Sequence, residues 1–219
     1  MSHIGVNLGF GNLHEELTDE QMYAGELGLA ELADRLGYDS LWAVEHHFDD
    51  YAMCPDNVVL LANVAGRAKR LKLGTAAVIL PWNDPLRVAE KIIMLDILSE
   101  GRALFGMGRG LSRMEYAPFG VDMSESRARF DEAAAMIVAA VETGWIEGDG
   151  PYYPRPRTQL RPGPPRSFRP AVLRRRVAGL GHLVRRPRRR AADDRHAAGA
   201  EPHAGVHQLP RAVARGARR

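Results

Sequence analysis

The chain has a single cysteine among its 219 residues. One cysteine cannot build an internal disulfide framework, which points to a reducing, cytoplasmic setting. No apolar run reaches the roughly 18 residues that a membrane-spanning helix needs. The N-terminus, Met1-Ser-His-Ile-Gly-Val-Asn7, has no basic segment leading into an apolar one, so no secretory signal is expected. There is no CxxC or HExxH pattern, so no recognised metal site is expected. After residue 154 the chain also lacks Lys, Ile, Met, Asn, Trp and Tyr.

What is present divides in two. The formal net charge of +3 suggests a mildly basic protein, but that value is a cancellation. Residues 1–154 hold 12 Lys+Arg against 24 Asp+Glu. Residues 155–219 hold 18 Arg and only three acids, Asp193, Asp194 and Glu201. Arg, Ala, Pro and Gly make up 43 of those last 65 residues. Such a stretch has too few core-forming side chains to fold alone, so disorder is its expected state. The same four residue types share codons built mainly from G and C. A reading-frame change beginning around 160–172 would give this composition. The chain is therefore divided into residues 1–162 and a low-complexity basic tail, 163–219.

The first part alternates strand and helix patterns. Ile4–Phe10, Ser40–Val44, Leu71–Leu80 and Arg102–Met107 read as buried strands. Thr18 opens a helix with an apolar stripe that Gly37 stops. Further helices are expected over 56–65, from Pro85 to Leu98, and from Ser124 to Trp145. Four β-α units in series imply a parallel α/β sheet, either doubly wound or a (β/α)₈ barrel.

Five features can carry chemistry. Glu45-His46-His47-Phe48 directly follows the second strand, where parallel α/β domains place their ligands. The two histidines suit acid/base work or metal binding, or else one caps the strand and the other is solvated. Gly74-Thr-Ala-Ala-Val78 admits a flat ligand or close helix packing. Gly106-Met-Gly-Arg-Gly110 allows close backbone approach, with Arg109 able to grip a phosphate or to serve a structural ion pair. Glu115 is an acid in a loop. Arg127 starts a helix, where a cation opposes the helix dipole.

Taken together and in this order, these residues resemble the bacterial luciferase-like flavin-dependent monooxygenases. The resemblance runs over about residues 3–165, through Gly37-Tyr-Asp-Ser-Leu-Trp42, Glu45–Phe48, Leu73–Ala77, Pro85–Glu90, Ser99-Glu-Gly-Arg102, Phe105-Gly106, Arg109-Gly-Leu111 and Ser126-Arg127. It implies a partial TIM (β/α)₈ barrel of about four to five βα units. It implies reduced FMN as cofactor and O₂ as co-substrate, reacting through a flavin C4a-peroxide to oxidise a small organic molecule. It assigns His46 as the catalytic acid/base. It assigns Ala76, Ala77, Gly108, Arg109, Leu111, Glu115 and Arg127 to cofactor binding, with a cis peptide bond allowed at Ala76–Ala77. A separate flavin reductase and a homo- or heterodimer are further implied partners; no membrane and no specific nucleic acid are expected.

Two departures accompany the resemblance. Gly108 stands where luciferase proper has a reactive cysteine, which argues against light emission. The family's remaining phosphate ligands follow the fifth strand, and here the Arg/Pro/Ala tail is expected from near Arg166. Only about half a barrel is then present, and weak FMN binding is expected. Two other classes compete: a non-catalytic partner subunit, and a nucleic-acid binder acting through the basic tail.

Overall fold

A computed structural model describes residues 3–13, 16–169 and 171–174. In chain order the elements are β1 (Gly5–Leu8), α1 (Asp19–Leu36), β2 (Ser40–Ala43), α2 (Asn57–Arg67) and β3 (Lys72–Thr75). Then come β4 (Val78–Ile79), α3 (Pro85–Leu98), β5 (Ala103–Gly108), the short α4 (Arg113–Tyr116) and α5 (Ser126–Thr143). Strands β6 (Trp145–Gly148), β7 (Arg155–Gln159) and β8 (Val172–Arg174) complete the set.

Local chemistry sets the helix ends. The Thr18 hydroxyl accepts from the Gln21 N–H, and the Gln21 side chain accepts in return from the Thr18 N–H. This reciprocal box satisfies two N–H groups that the first turn leaves open. Asp56 and Asp84 cap α2 and α3 in the same sense, each accepting two backbone N–H bonds. Gly37 closes α1 with φ at 82°, a left-handed conformation that costs glycine nothing.

The parallel strands lie in the order β1-β2-β3-β5-β8. The expected third strand, Leu71–Leu80, is two pieces. Strand β3 pairs Leu73 and Gly74 with Ala103 and Leu104, and β4 resumes against the same β5 at Met107 and Gly108. Between them the Ala76–Ala77 peptide bond is cis. Helices α1, α2, α3 and α5 pack one against the next along the sheet. Leu41 and Ala43 are fully buried in the shared core, whereas Trp42, on the opposite face of β2, is partly exposed. Trp42 covers the neighbouring strand: a Cβ at Gly74 would lie 2.2 Å from its ring.

Arg102, at the start of β5, ties the N-terminal ends of the strands together. Its guanidinium donates to the carbonyls of Ala65, Ala68, Leu71 and Ser99 at 2.7–3.2 Å. These are carbonyls at or near the ends of α2 and α3 and the start of β3, and the end carbonyls of a helix have no partner within it.

The C-terminal side departs from the expected pattern. Residues 145–159 form an antiparallel hairpin, β6–β7, that was not expected. The packed structure also continues past residue 162, where the sequence reading divides the chain. Phe168 is fully buried and Ala171 nearly so. Arg166 grips the fully buried Asp96 with two bonds, Nε to Oδ2 at 2.9 Å and Nη2 to Oδ1 at 2.6 Å. Strand β8 then pairs with Phe105–Met107. The parallel sheet thus gains its fifth strand within the stretch that composition assigned to the tail. The expected disorder and frame change beyond it concern residues 175–219, which lie outside the described residues.

Candidate active site

Parallel pairing brings the C-terminal ends of β2, β4 and β5 to one edge of the sheet. The segment after β2 carries Glu45, His46, His47 and Phe48. Glu45 is only 5% exposed. Its carboxylate accepts from the Ile79 N–H at 3.0 Å, the Trp82 indole at 2.9 Å and the Asn83 amide at 2.8 Å. The His47 Nε2 lies 3.4 Å away. A buried charge held by so many donors is stably accommodated. Glu45 therefore joins the end of β2 to the segment that follows β4.

Glu115, on α4, is the second buried acid, 2% exposed. One oxygen, Oε1, accepts from the His47 N–H at 2.9 Å and sits 3.0 Å from His46 Nδ1. The His46 side chain is 32% exposed. Its Nε2 has no hydrogen-bond partner among the described residues. Its ring makes a T-shaped contact with Tyr51, the centroids 5.5 Å apart.

The floor beside these groups is made of small residues. A Cβ at Gly106 would fall 2.1 Å from the Thr75 carbonyl oxygen, and one at Gly108 would fall 2.9 Å from Ile79 and 3.2 Å from the Ala77 Cβ. Only glycine lets β5 run this close to Thr75–Ile79. Beyond β5, the Arg109 guanidinium reaches the Ser126 hydroxyl at 3.4 Å, and no carboxylate pairs with it among the described residues. The Tyr116 phenol donates to the Arg109 carbonyl at 2.5 Å. Burial pushes the Tyr116 phenol above its usual value, so it stays a donor at neutral pH.

An aromatic wall completes the site. Trp82 and Phe119 stack at 5.2 Å and 9°. His47 meets Phe119 edge-on at 4.7 Å, and Phe48 lies 5.5 Å from Phe119. Phe48, Leu111 and Met114 are exposed.

The structure brings His46 and Glu115 together, and it gathers Ala76, Ala77 and Gly108 into the floor. Arg109 directly follows Gly108 in the chain, and Leu111 is exposed. Arg127 is placed elsewhere: its guanidinium pairs with Asp131 at 2.9 Å on the exposed side of α5. The sequence motifs included Glu45 and Ser126 but gave them no role, and Trp82, Asn83 and Tyr116 were not singled out. The one available signal was an acid directly preceding two histidines at a strand end. Among the described residues no group of three His, Cys, Asp or Glu is placed to hold a metal ion.

Known proteins share the sequence pattern and fold of this chain. A family profile described as luciferase-like monooxygenase matches residues 2–219. The alkanal monooxygenase alpha chain of Aliivibrio fischeri is 39% identical over 128 residues, 58% of this chain and 36% of that one. An uncharacterized protein of Sinorhizobium fredii, y4wF, is 36% identical over 151 residues, 66% of this chain and 44% of that one. The chain thus spans less than half the length of these curated relatives. Among solved structures, the monooxygenase RslO1 from Streptomyces bottropensis superposes with a TM-score of 0.64 at 36% identity, covering 79% of this chain and 53% of that one. The oxygenating constituent of 3,6-diketocamphane monooxygenase from Pseudomonas putida, solved with FMN, shares the fold with a TM-score of 0.63 at 22% identity, over 70% of this chain and 44% of that one. By its profile match and its parallel five-stranded sheet, this chain belongs to the luciferase-like monooxygenase family.

Proposed function

We propose that this chain serves a flavin-dependent monooxygenase reaction, with reduced FMN and O₂ as co-substrates and a small uncharged organic molecule as the one oxidised. The observation that carries the reading is the juxtaposition of His46, its Nε2 free, with the small-residue floor and the carboxylate-free Arg109 guanidinium. The residues fit the cofactor. A planar ring system needs strand ends without large side chains, and the close packing of Gly106 and Gly108 against Thr75, Ala77 and Ile79 supports that reading. A phosphate needs a cation not already neutralised, and Arg109 meets that condition. Reduced flavin, when bound, supplies the two electrons with which one atom of O₂ enters the substrate and the other leaves as water.

The chain's own residues then have separable tasks. Arg109 and the Ser126 hydroxyl anchor the phosphate end. His46 Nε2 accepts or returns a proton at the reacting centre. The wall of Trp82, Phe119 and Phe48 excludes water and offers apolar surface to the substrate. No dinucleotide fingerprint is present, so reduced flavin comes from a separate reductase on this reading.

The test compares FMN with riboflavin, which lacks the phosphate, in anaerobic titrations of the full chain. Wild type prefers FMN, and Arg109→Met loses that preference by about 10–100-fold, the worth of a charge-assisted contact. Equal binding of FMN and riboflavin by wild type, or no binding of either, overturns the proposal.

A further inference from the structure

We infer that Glu115 is the positioning residue for His46: it fixes which ring nitrogen carries the proton and leaves Nε2 as the working atom. The resemblance assigned Glu115 to the cofactor, whereas the geometry has it act through His46.

Two adjacent histidines follow β2, and the structure gives them different surroundings. The His47 side chain is 11% exposed. Its Nε2 is directed at Glu45, and its ring is enclosed by Phe48, Trp82 and Phe119. It has little freedom to meet a ligand. The His46 side chain is three times as exposed, and only its Nδ1 is engaged.

A carboxylate can only accept, so the 3.0 Å contact requires the proton on Nδ1 of the neutral ring. Nε2 is then an unprotonated acceptor with no hydrogen-bond partner among the described residues, on a side chain that is partly exposed. The same Oε1 also accepts the His47 N–H. Because that N–H belongs to the next residue of the chain, Glu115 fixes backbone and ring together. With the backbone held on one side and Nδ1 on the other, the imidazole cannot turn over without breaking a bond to a buried charge. Glu115 is itself fixed in α4, next to Tyr116, whose hydroxyl is bonded to the Arg109 carbonyl. Ring orientation at His46 and the backbone of the phosphate-end arginine thus share one short helix.

The experiment reads the tautomer by ¹⁵N NMR of histidine-labelled full-length protein, at a pH where His46 is neutral, in wild type, Glu115→Gln and Glu115→Leu. Wild type is expected to carry the proton on Nδ1. Glu115→Gln keeps an accepting oxygen of the same reach and retains that tautomer. Glu115→Leu releases it, and the proton moves to Nε2. A purely structural Glu115 would leave the tautomer unchanged in the leucine variant. Nε2–H in wild type overturns the inference without any variant, so misfolding of Glu115→Leu does not protect it.

The activity arm rests on the function proposed above. In flavin-loaded enzyme, Glu115→Leu lowers kcat at least about tenfold with little change in KM, and adds nothing in a His46→Ala background. If His46→Ala leaves turnover unchanged, the proposed function fails while the tautomer result still judges the role of Glu115.

Discussion

Replacing Arg166 by Met tests whether the stretch after residue 162 belongs to the fold. The change keeps an apolar stem near the Phe168 ring, over which the guanidinium lies at 5.0 Å. It removes both bonds to Asp96, whose side chain is fully buried. Asp96 then keeps the Ala103 N–H at 3.3 Å as its remaining carboxylate donor. Removing one partner from a buried ion pair costs about 3–5 kcal/mol. Because the Arg166 side chain is 33% exposed, water reaches part of the vacated space. The expected loss is accordingly nearer about 2–3 kcal/mol, or about 4–12 °C in Tm for a folded unit of this size. Urea denaturation followed by circular dichroism measures it. Adding Asp96→Asn to Arg166→Met should recover part of the loss, because the stranded charge is gone. Arg67→Ala breaks an exposed pair with Glu31 and should change stability by less than about 1 kcal/mol. If Arg166→Met is no worse than Arg67→Ala, Arg166 does not hold the segment to α3 and the reasoning fails.

Phe168→Ala empties a fully buried site and should cost about 3–5 kcal/mol in the same titration; a loss below about 1 kcal/mol would place Phe168 outside the core. Gly106→Ala puts a methyl 2.1 Å from a backbone oxygen, so the strands must separate; a melt unchanged from wild type would contradict the close approach. Burial, reinforced by Glu45, Asp56 and Glu26, pushes the Cys54 thiol up to about 12. Folded protein at pH 8 should therefore resist a thiol reagent that labels it promptly in urea. The sign for stability follows: the folded state favours the neutral thiol, so its contribution is full below the unfolded thiol value and is lost as pH rises toward 12. Rapid labelling of folded protein would refute both statements.

Where local rules decide structure, the sequence sufficed. Thr18, Gly37 and Pro85 mark helix ends by capping and backbone geometry, and they hold in the structure. The division of the third strand was hidden because Ala76–Leu80 continues as an uninterrupted apolar run; the break at Ala76–Ala77 leaves no periodicity signal. The β6–β7 hairpin was hidden for another reason. Arg155–Gln159 has four exposed residues of five and no alternation, so pairing with β6 defines it rather than pattern. Strand β8 has three residues set in an Arg- and Pro-rich window, and composition averaged it away. At the site, sequence position directed attention to His46 and His47. Strand-end position alone could not separate them, and only the resemblance chose His46; the group that distinguishes them in the structure, Glu115, lies 69 residues from His46. Arg127 shows the converse: a cation that opposes the helix dipole at the start of α5 is met by an ordinary exposed pair four residues along the helix.

The junction built by Arg102 has a further consequence. Its four acceptors are all backbone carbonyls, and none is a carboxylate. Added salt loosens ion pairs between exposed charges but screens short contacts between a partly buried cation and peptide dipoles far less. The end of the sheet remote from His46 should therefore hold its geometry across ionic strengths at which surface pairs such as Arg127–Asp131 have dissolved. A lysine could not replace it. Lysine's three donors fan out from one nitrogen, whereas the guanidinium spreads its donors in a rigid plane wide enough to reach two helix ends and a strand at once. A single side chain thus fixes the starting register of neighbouring strands, and with it the relative height at which their opposite ends deliver Glu45, Ala77 and Arg109.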